Sequence, residues 1–225
     1  MTKKSQGPEA FPDSWFDPDC RRCSRLAAHL DEVRREHPDY HAAPVPPFGD
    51  PGARLLIVGL APGKHGANRT GRPFTGDHAG ILLYETLHGL GLASEPRSES
   101  ADDGLVLKGC RITNAVKCLP PDNKPKPAEV RNCNPWLVAE IEESAPAVIL
   151  ALGRIAHDAV LDALRCKRSE FRFGHGAEHR LNKDHWMIDS YHCSRYNTQT
   201  KRLTGEMFRE VMSRAARRAE VGDPR

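Results

Sequence analysis

An apolar run, Leu55-Leu56-Ile57-Val58, leads directly into GLAPGKHGANRTGRPFTGDHAG at 59–80, and a second apolar run, Ile81-Leu82-Leu83, follows. This order constrains the chain more than any other feature. A buried strand must run into a long polar loop, and the loop must deliver the chain to a helix. Loops longer than about a dozen residues persist in compact domains mainly when they are functional. Six glycines let this one approach a ligand closely and reach positive φ. Lys64, His65, Arg69 and Arg72 offer cations to phosphates, Phe74 an aromatic face, and Asp77 a carboxylate beside the helix start. On its mechanics this is a loop for cradling a phosphate or a backbone, with a structural Ω-loop as the alternative. Gly63-Lys64 is followed by His65, so it is not a Walker A loop, and it is not a G-x-G-x-x-G dinucleotide loop either.

The frame around the loop alternates strands and helices. Residues 19–37 place Leu26, Leu30 and Val33 at helical spacing. Residues 38–52 hold five prolines and two glycines and read as an irregular connector. A helix is expected over 79–90, a polar surface loop over 93–104, a strand within 106–116, and a Pro-rich break at 120–127. A helix over 128–143 is followed by the continuously apolar PAVILAL at 146–152, as expected for a strand covered on both faces. A helix to Leu164, an ambiguous Gly/His-rich stretch at 171–180 with the look of a hairpin, a strand at 185–190, a polar loop at 191–203 and a basic helix at 204–219 complete the chain. That helix reads as a solvated face rather than a DNA contact. The pattern predicts an α/β fold with a mostly parallel sheet, one domain over 13–219 and polar tails at 1–12 and 220–225. Ligands of such sheets bind beyond the carboxyl ends of the strands.

The 225 residues carry 33 Lys and Arg against 30 acids, a net charge of +3. Any nucleic-acid partner must therefore be met by a local positive patch. No run approaches the roughly 20 apolar residues of a membrane helix, and 1–15 lacks the apolar core of a signal peptide. A cytoplasmic protein with reduced thiols is expected, so its seven cysteines call for metal, catalysis or packing.

Cys20 and Cys23 form C-x2-C, which lets two thiolates grip one ion from a single turn. Cys118 follows a strand and Cys133 lies in the next helix. The two pairs are far apart, so spacing leaves zinc, an iron–sulfur cluster and unrelated thiols all open. Cys110, Cys166 and Cys193 read as small side chains. Beyond the last strand, Tyr191-His192-Cys193-Ser194-Arg195-Tyr196-Asn197 brings a histidine to the same rim as Asp77. Each candidate has a plainer reading: Asp77 as a helix N-cap, His192 as a satisfied structural group, and Asn114 as a turn residue rather than an amide reading a planar ligand edge.

With these residues laid out, the chain resembles the family 5 (type b) uracil-DNA glycosylases, the cluster-bearing enzymes of bacteria and archaea. The likeness lies in GLAPGKHGANRTGRPFTGD, in TNAVKCLPP with Cys133 downstream, in Cys20-x2-Cys23, and in HCSRYNTQTKRLT at 192–204. Cys193 departs from the proline usual after the family's histidine. The resemblance implies a three-layer αβα sandwich around a four-stranded parallel sheet. It implies a [4Fe–4S] cluster on Cys20, Cys23, Cys118 and Cys133, tying the first helix to the Pro-rich loop. It implies an enzyme that flips uracil, or deaminated purines such as hypoxanthine and xanthine, out of DNA and hydrolyses the N-glycosidic bond; separately, a monomer is expected.

On that reading Gly59 and Ala61 form the pocket floor, with apolar Ala61 standing where related families carry a reactive group. Phe74 stacks the base, Asn114 reads its edge, His192 donates to O2 and Asp77 serves the sugar or the water. Lys64, His65, Arg69, Ser194 and Arg195 meet DNA, and Tyr196 is a wedge into the duplex. The other reading is a non-enzymatic nucleic-acid-binding module with a structural four-cysteine metal site. An iron–sulfur redox carrier would leave the long loop unexplained.

Overall fold

The computed structural model describes residues 15–220. The tail expected at 1–12, and all but Glu220 of the tail expected at 220–225, lie outside that range. Glu220 lies within it as the left-handed C-cap of the last helix, with its carboxylate 3.3 Å from Arg54.

Four strands form the centre: β2 (Leu55–Gly59), β3 (Cys110–Asn114), β4 (Val148–Leu152) and β6 (Trp186–Ser190). They run parallel in the order β3-β2-β4-β6. Two short antiparallel strands extend the edges to six, β1 (Phe48–Gly49) beside β3 and β5 (Glu178–Arg180) beside β6. The four-stranded parallel sheet is thus present, and β1 falls inside the connector expected to be irregular. The hairpin look of 171–180 is not realised within that stretch: its one strand, β5, pairs with β6 instead.

The two innermost strands, β2 and β4, are buried on both faces, which explains why they read as unbroken apolar runs. Successive side chains alternate between two cores. Leu55, Ile57, Ile112, Leu150 and Ile188 face a layer with Leu83, Leu87, Phe208 and Met212. These come from α3 (His78–Gly89) and α7 (Gly205–Ala219). Leu56, Val58, Ile149, Ala151 and Met187 face Leu137, Ile141, Ala156 and Val160. These come from α4 (Pro127–Ser144) and α5 (Arg154–Ala163). The result is an αβα sandwich. Truncating a fully buried residue such as Ile57 to Ala would cost roughly 2–5 kcal/mol.

Helix ends follow local chemistry. Pro127 opens α4 at a position where its missing N–H costs nothing, and Thr204 caps α7 by accepting from the Met207 N–H at 3.2 Å. The N-terminal helix α1 (Ser24–Glu36) buries Leu26, Leu30 and Val33, the spacing read from sequence. Two helices were not anticipated: α2 (Ala67–Thr70) within the 59–80 stretch, and α6 (Arg195–Gln199) within the loop after β6. Among the described residues no helix is long and apolar enough to cross a membrane.

Candidate functional site

The carboxyl ends of the parallel strands bring the sequence candidates together. Gly59 ends β2 and is in register with Asn114 at the end of β3. A Cβ on Gly59 would lie 2.5 Å from both Asn114 Oδ1 and Phe74 Cζ, so the close approach of these two side chains requires glycine. The 59–80 stretch folds Phe74 back over the strand end. Phe74 adopts φ 56, a left-handed conformation that a bulky residue enters at a cost of about 1–3 kcal/mol. Its ring stacks on His192, with centroids 5.9 Å apart and planes at 26°. Asn114 is buried, yet its Oδ1 has no hydrogen-bond partner among the described residues. Such an orphan carries a desolvation penalty of about 1–3 kcal/mol, which a ligand donor would relieve.

His192 is half-buried beyond β6. Desolvation pushes its pKa down to about 4, so the ring is neutral near pH 7. Two contacts hold its loop: the Asn197 Nδ2 donates to the His192 carbonyl at 2.8 Å, and the Tyr191 N–H donates to His175 Nδ1 at 3.1 Å. A cavity of about 300 Å³ is lined by His192, Leu60, Phe173, Tyr191 and Arg202.

Asp77 is the N-cap of α3, accepting the Gly80 N–H on Oδ1 at 2.9 Å. The cap reading is therefore realised. Its other oxygen lies against the glycine backbone, 2.7 Å from where a Cβ on Gly66 would stand and 3.6 Å from one on Gly63. Desolvation raises the Asp77 pKa against the lowering effect of the backbone bonds. Ala61 packs against the core on the α4 and α5 side.

The polar candidates separate. Lys64 pairs with Glu36 at 2.8 Å on the surface, a contact that contributes little there. His65 hydrogen-bonds the Tyr40 hydroxyl at 2.8 Å and meets His37 edge-on. The exposed Arg69 donates from Nε to the His65 carbonyl. Arg72 departs from the phosphate-facing expectation: its guanidinium is buried, 2.6 Å from Asp103 and 3.0 Å from Ser98 Oγ. Ser194 caps α6, Arg195 opens it, and Tyr196 is 71% exposed beside it.

Cys20, Cys23, Cys118 and Cys133 line one small cavity with Phe16 and Trp136. The Lys117 N–H donates to Cys133 Sγ at 3.2 Å. Burial pushes the Cys118 thiol up and that of Cys133 up to about 11, so ionising them calls for a metal. The four sulfurs share that lining, a donor set that suits zinc and an iron–sulfur cluster alike. Cys110 and Cys193 are buried packing groups, as read from sequence.

The His157, His179 and Asp189 group was missed, because its members are scattered and match no motif. Its ligand-type atoms all lie within 4.8 Å of one another. Asp189 bonds His157 Nδ1 at 2.8 Å and His179 Nε2 at 3.1 Å, and accepts the Gly174 N–H at 3.2 Å. Asn197 was quoted within the 192–204 motif without a role, and it supports His192.

The family model for the uracil DNA glycosylase superfamily matches residues 46–216. A type-5 uracil-DNA glycosylase of Thermus thermophilus is 50% identical over 207 residues, covering 89% of this chain and 94% of the relative. One from Pyrobaculum aerophilum is 42% identical over 91% of this chain and 94% of its own. A type-4 enzyme of Archaeoglobus fulgidus is 36% identical over 61% of this chain and 56% of its own. With an αβα sandwich whose strand ends gather Gly59, Phe74, Asn114 and His192, the chain belongs to the uracil-DNA glycosylase superfamily, in its type-5 family.

Proposed function

We propose that this protein is a monofunctional DNA glycosylase that excises uracil from DNA and leaves an abasic site. The observation that carries the reading is the orphaned Asn114 Oδ1, buried beside Gly59 and Phe74 at the strand ends. A planar base with a ring N–H would satisfy it. The target nucleotide must leave the stack first, and Phe74 offers the face on which it stacks. As the N-glycosidic bond breaks, its electron pair moves onto the base. Neutral His192 donates a hydrogen bond to the base oxygen where that charge develops. The sugar becomes oxocarbenium-like, and the Asp77 carboxylate stabilises it or orients the water that attacks C1′.

Hypoxanthine and xanthine belong to the same reading, because the amide of Asn114 can both donate and accept. Lys64, His65, Arg69, Ser194 and Arg195 meet the DNA, and Tyr196 fills the vacated stack. The four cysteines would hold a [4Fe–4S] cluster, which would link the segment before α1 to the start of α4 as a structural cross-link. The enzyme acts as a cytoplasmic monomer.

The test is incubation with oligonucleotides carrying one uracil, hypoxanthine or xanthine, followed by cleavage at abasic sites. Strand scission at uracil is expected, from protein whose visible absorbance reports the cluster. Colourless protein with no product on any substrate would return the chain to a binding module with zinc on its four cysteines.

A further inference from the structure

Residues 93–104 read as a plain polar surface loop, and the structure gives 94–104 more order than that role needs. The buried Arg72 guanidinium reaches Asp103, Ser98 Oγ and the Ala101 carbonyl, and its other side lies 4.3 Å from the Phe48 ring centre. Asp103 in turn accepts the backbone N–H groups of Glu99 at 2.9 Å, Ser100 at 3.3 Å and Leu105 at 3.0 Å. Thr75 Oγ1 meets Ser98 Oγ at 2.7 Å, and the Gly76 N–H donates to the Ser98 carbonyl at 3.3 Å. The segment is thereby fixed to the residues just before Asp77. A buried guanidinium is costly to desolvate and is held here by several partners at once.

What this scaffold displays is Arg97. Between the segment and α3 runs an open groove of about 800 Å³, lined by Asp77, Ile81, Arg69, Arg97, Glu99 and Arg195. Its three arginines come from three separate places: the 59–80 stretch, the 94–104 segment and the start of α6. All three are exposed, and none forms a salt bridge among the described residues. Ile81, 52% exposed, gives the groove an apolar patch. Asp77 and Glu99 are its carboxylates, and Asp77 already accepts the Gly80 N–H.

We propose that this groove is a backbone clamp, in which Arg97 on its pinned segment, together with Arg69 and Arg195, holds phosphates of the DNA strand passing Asp77. This rests on the glycosylase reading for its ligand and adds a wall that the sequence motifs do not contain. A cation on a rigid support loses less conformational freedom on binding than one on a mobile loop. Arg72 contributes indirectly, as the anchor of that wall.

The test is fluorescence-anisotropy titration of a labelled DNA duplex over a range of salt concentrations, with wild-type uracil excision measured alongside. Arg97→Ala is expected to weaken binding several-fold and to lower the slope of log K against log salt by about 0.9, the loss of one phosphate contact. Arg72→Met, which keeps Arg97 but loosens the wall, should weaken binding in the same direction. Lys183→Ala, an exposed cation in the turn before β6, should leave affinity and slope unchanged. Wild-type affinity and slope in Arg97→Ala, or an equal loss in Lys183→Ala, would overturn the clamp. Excision by wild type with an unaltered Arg97→Ala would remove the clamp alone. A reduced slope in Arg97→Ala without any excision would leave the clamp standing and remove the glycosylase reading.

Discussion

Two aspartate–histidine groups sit near the carboxyl edge of the sheet, and they are partnered in opposite ways. Around Asp189 both carboxylate oxygens are engaged, by His157, His179 and the Gly174 N–H. The second nitrogen of His157 faces the Phe171 carbonyl at 3.1 Å. At the other group, Asp77 uses one oxygen on a helix cap, His192 stacks on Phe74, and Asn114 Oδ1 nearby has no partner among the described residues. The same residue types therefore serve two purposes. The satisfied group ties the segment at 171–179 to the end of β6. The unsatisfied one leaves hydrogen-bonding capacity free beside a cavity, as a binding site must. Partner counting separates the two where residue identity does not.

Mutations can break or sharpen this contrast. On stability, the largest effect is expected at Asp189. Asp189→Asn should cost about 3 kcal/mol by leaving buried ring nitrogens short of acceptors. For a chain of this size that lowers Tm by about 6–12 °C, measured by thermal unfolding. An unchanged Tm would show that the group is not a structural tie. His192→Ala should slow single-turnover uracil excision by roughly two to three orders of magnitude, the usual loss for one donor at a developing oxyanion, with Tm little changed. The same variant carries the smallest expected effect, on pH dependence. The folded His192 pKa lies near 4 against an ordinary 6.5. Between those values the unfolded chain binds the proton more readily. The stability tied to this group is therefore full above pH 6.5 and is lost as pH falls toward 4. Denaturation at a series of pH values should show a steeper acid loss in wild type than in His192→Ala.

Much of this was legible in the sequence because its signals were local. Strands β2 and β4 announced themselves as apolar runs, and the Gly-rich stretch marked the strand end, Phe74 and Asp77 by motif. The misses have physical causes. Edge strands β1 and β5 span two and three residues, and their pairing is set by the neighbouring strand rather than by their own pattern. Helices α2 and α6 are single turns inside polar stretches. Arg72 resembled its basic neighbours, and only the fold brings Asp103 to it. The Asp189 group draws on α5, β5 and β6, so no spacing could reveal it.

The central claim is that Asp77 does more than cap α3. Asparagine caps a helix about as well as aspartate, so Asp77→Asn removes the charge while keeping an acceptor for the Gly80 N–H. Single-turnover excision from a uracil-containing duplex under saturating enzyme tests the claim directly. The account predicts a loss of roughly two to four orders of magnitude in rate, with Tm, duplex affinity and cluster absorbance unchanged. A wild-type rate in that variant would contradict it and leave Asp77 as a cap alone.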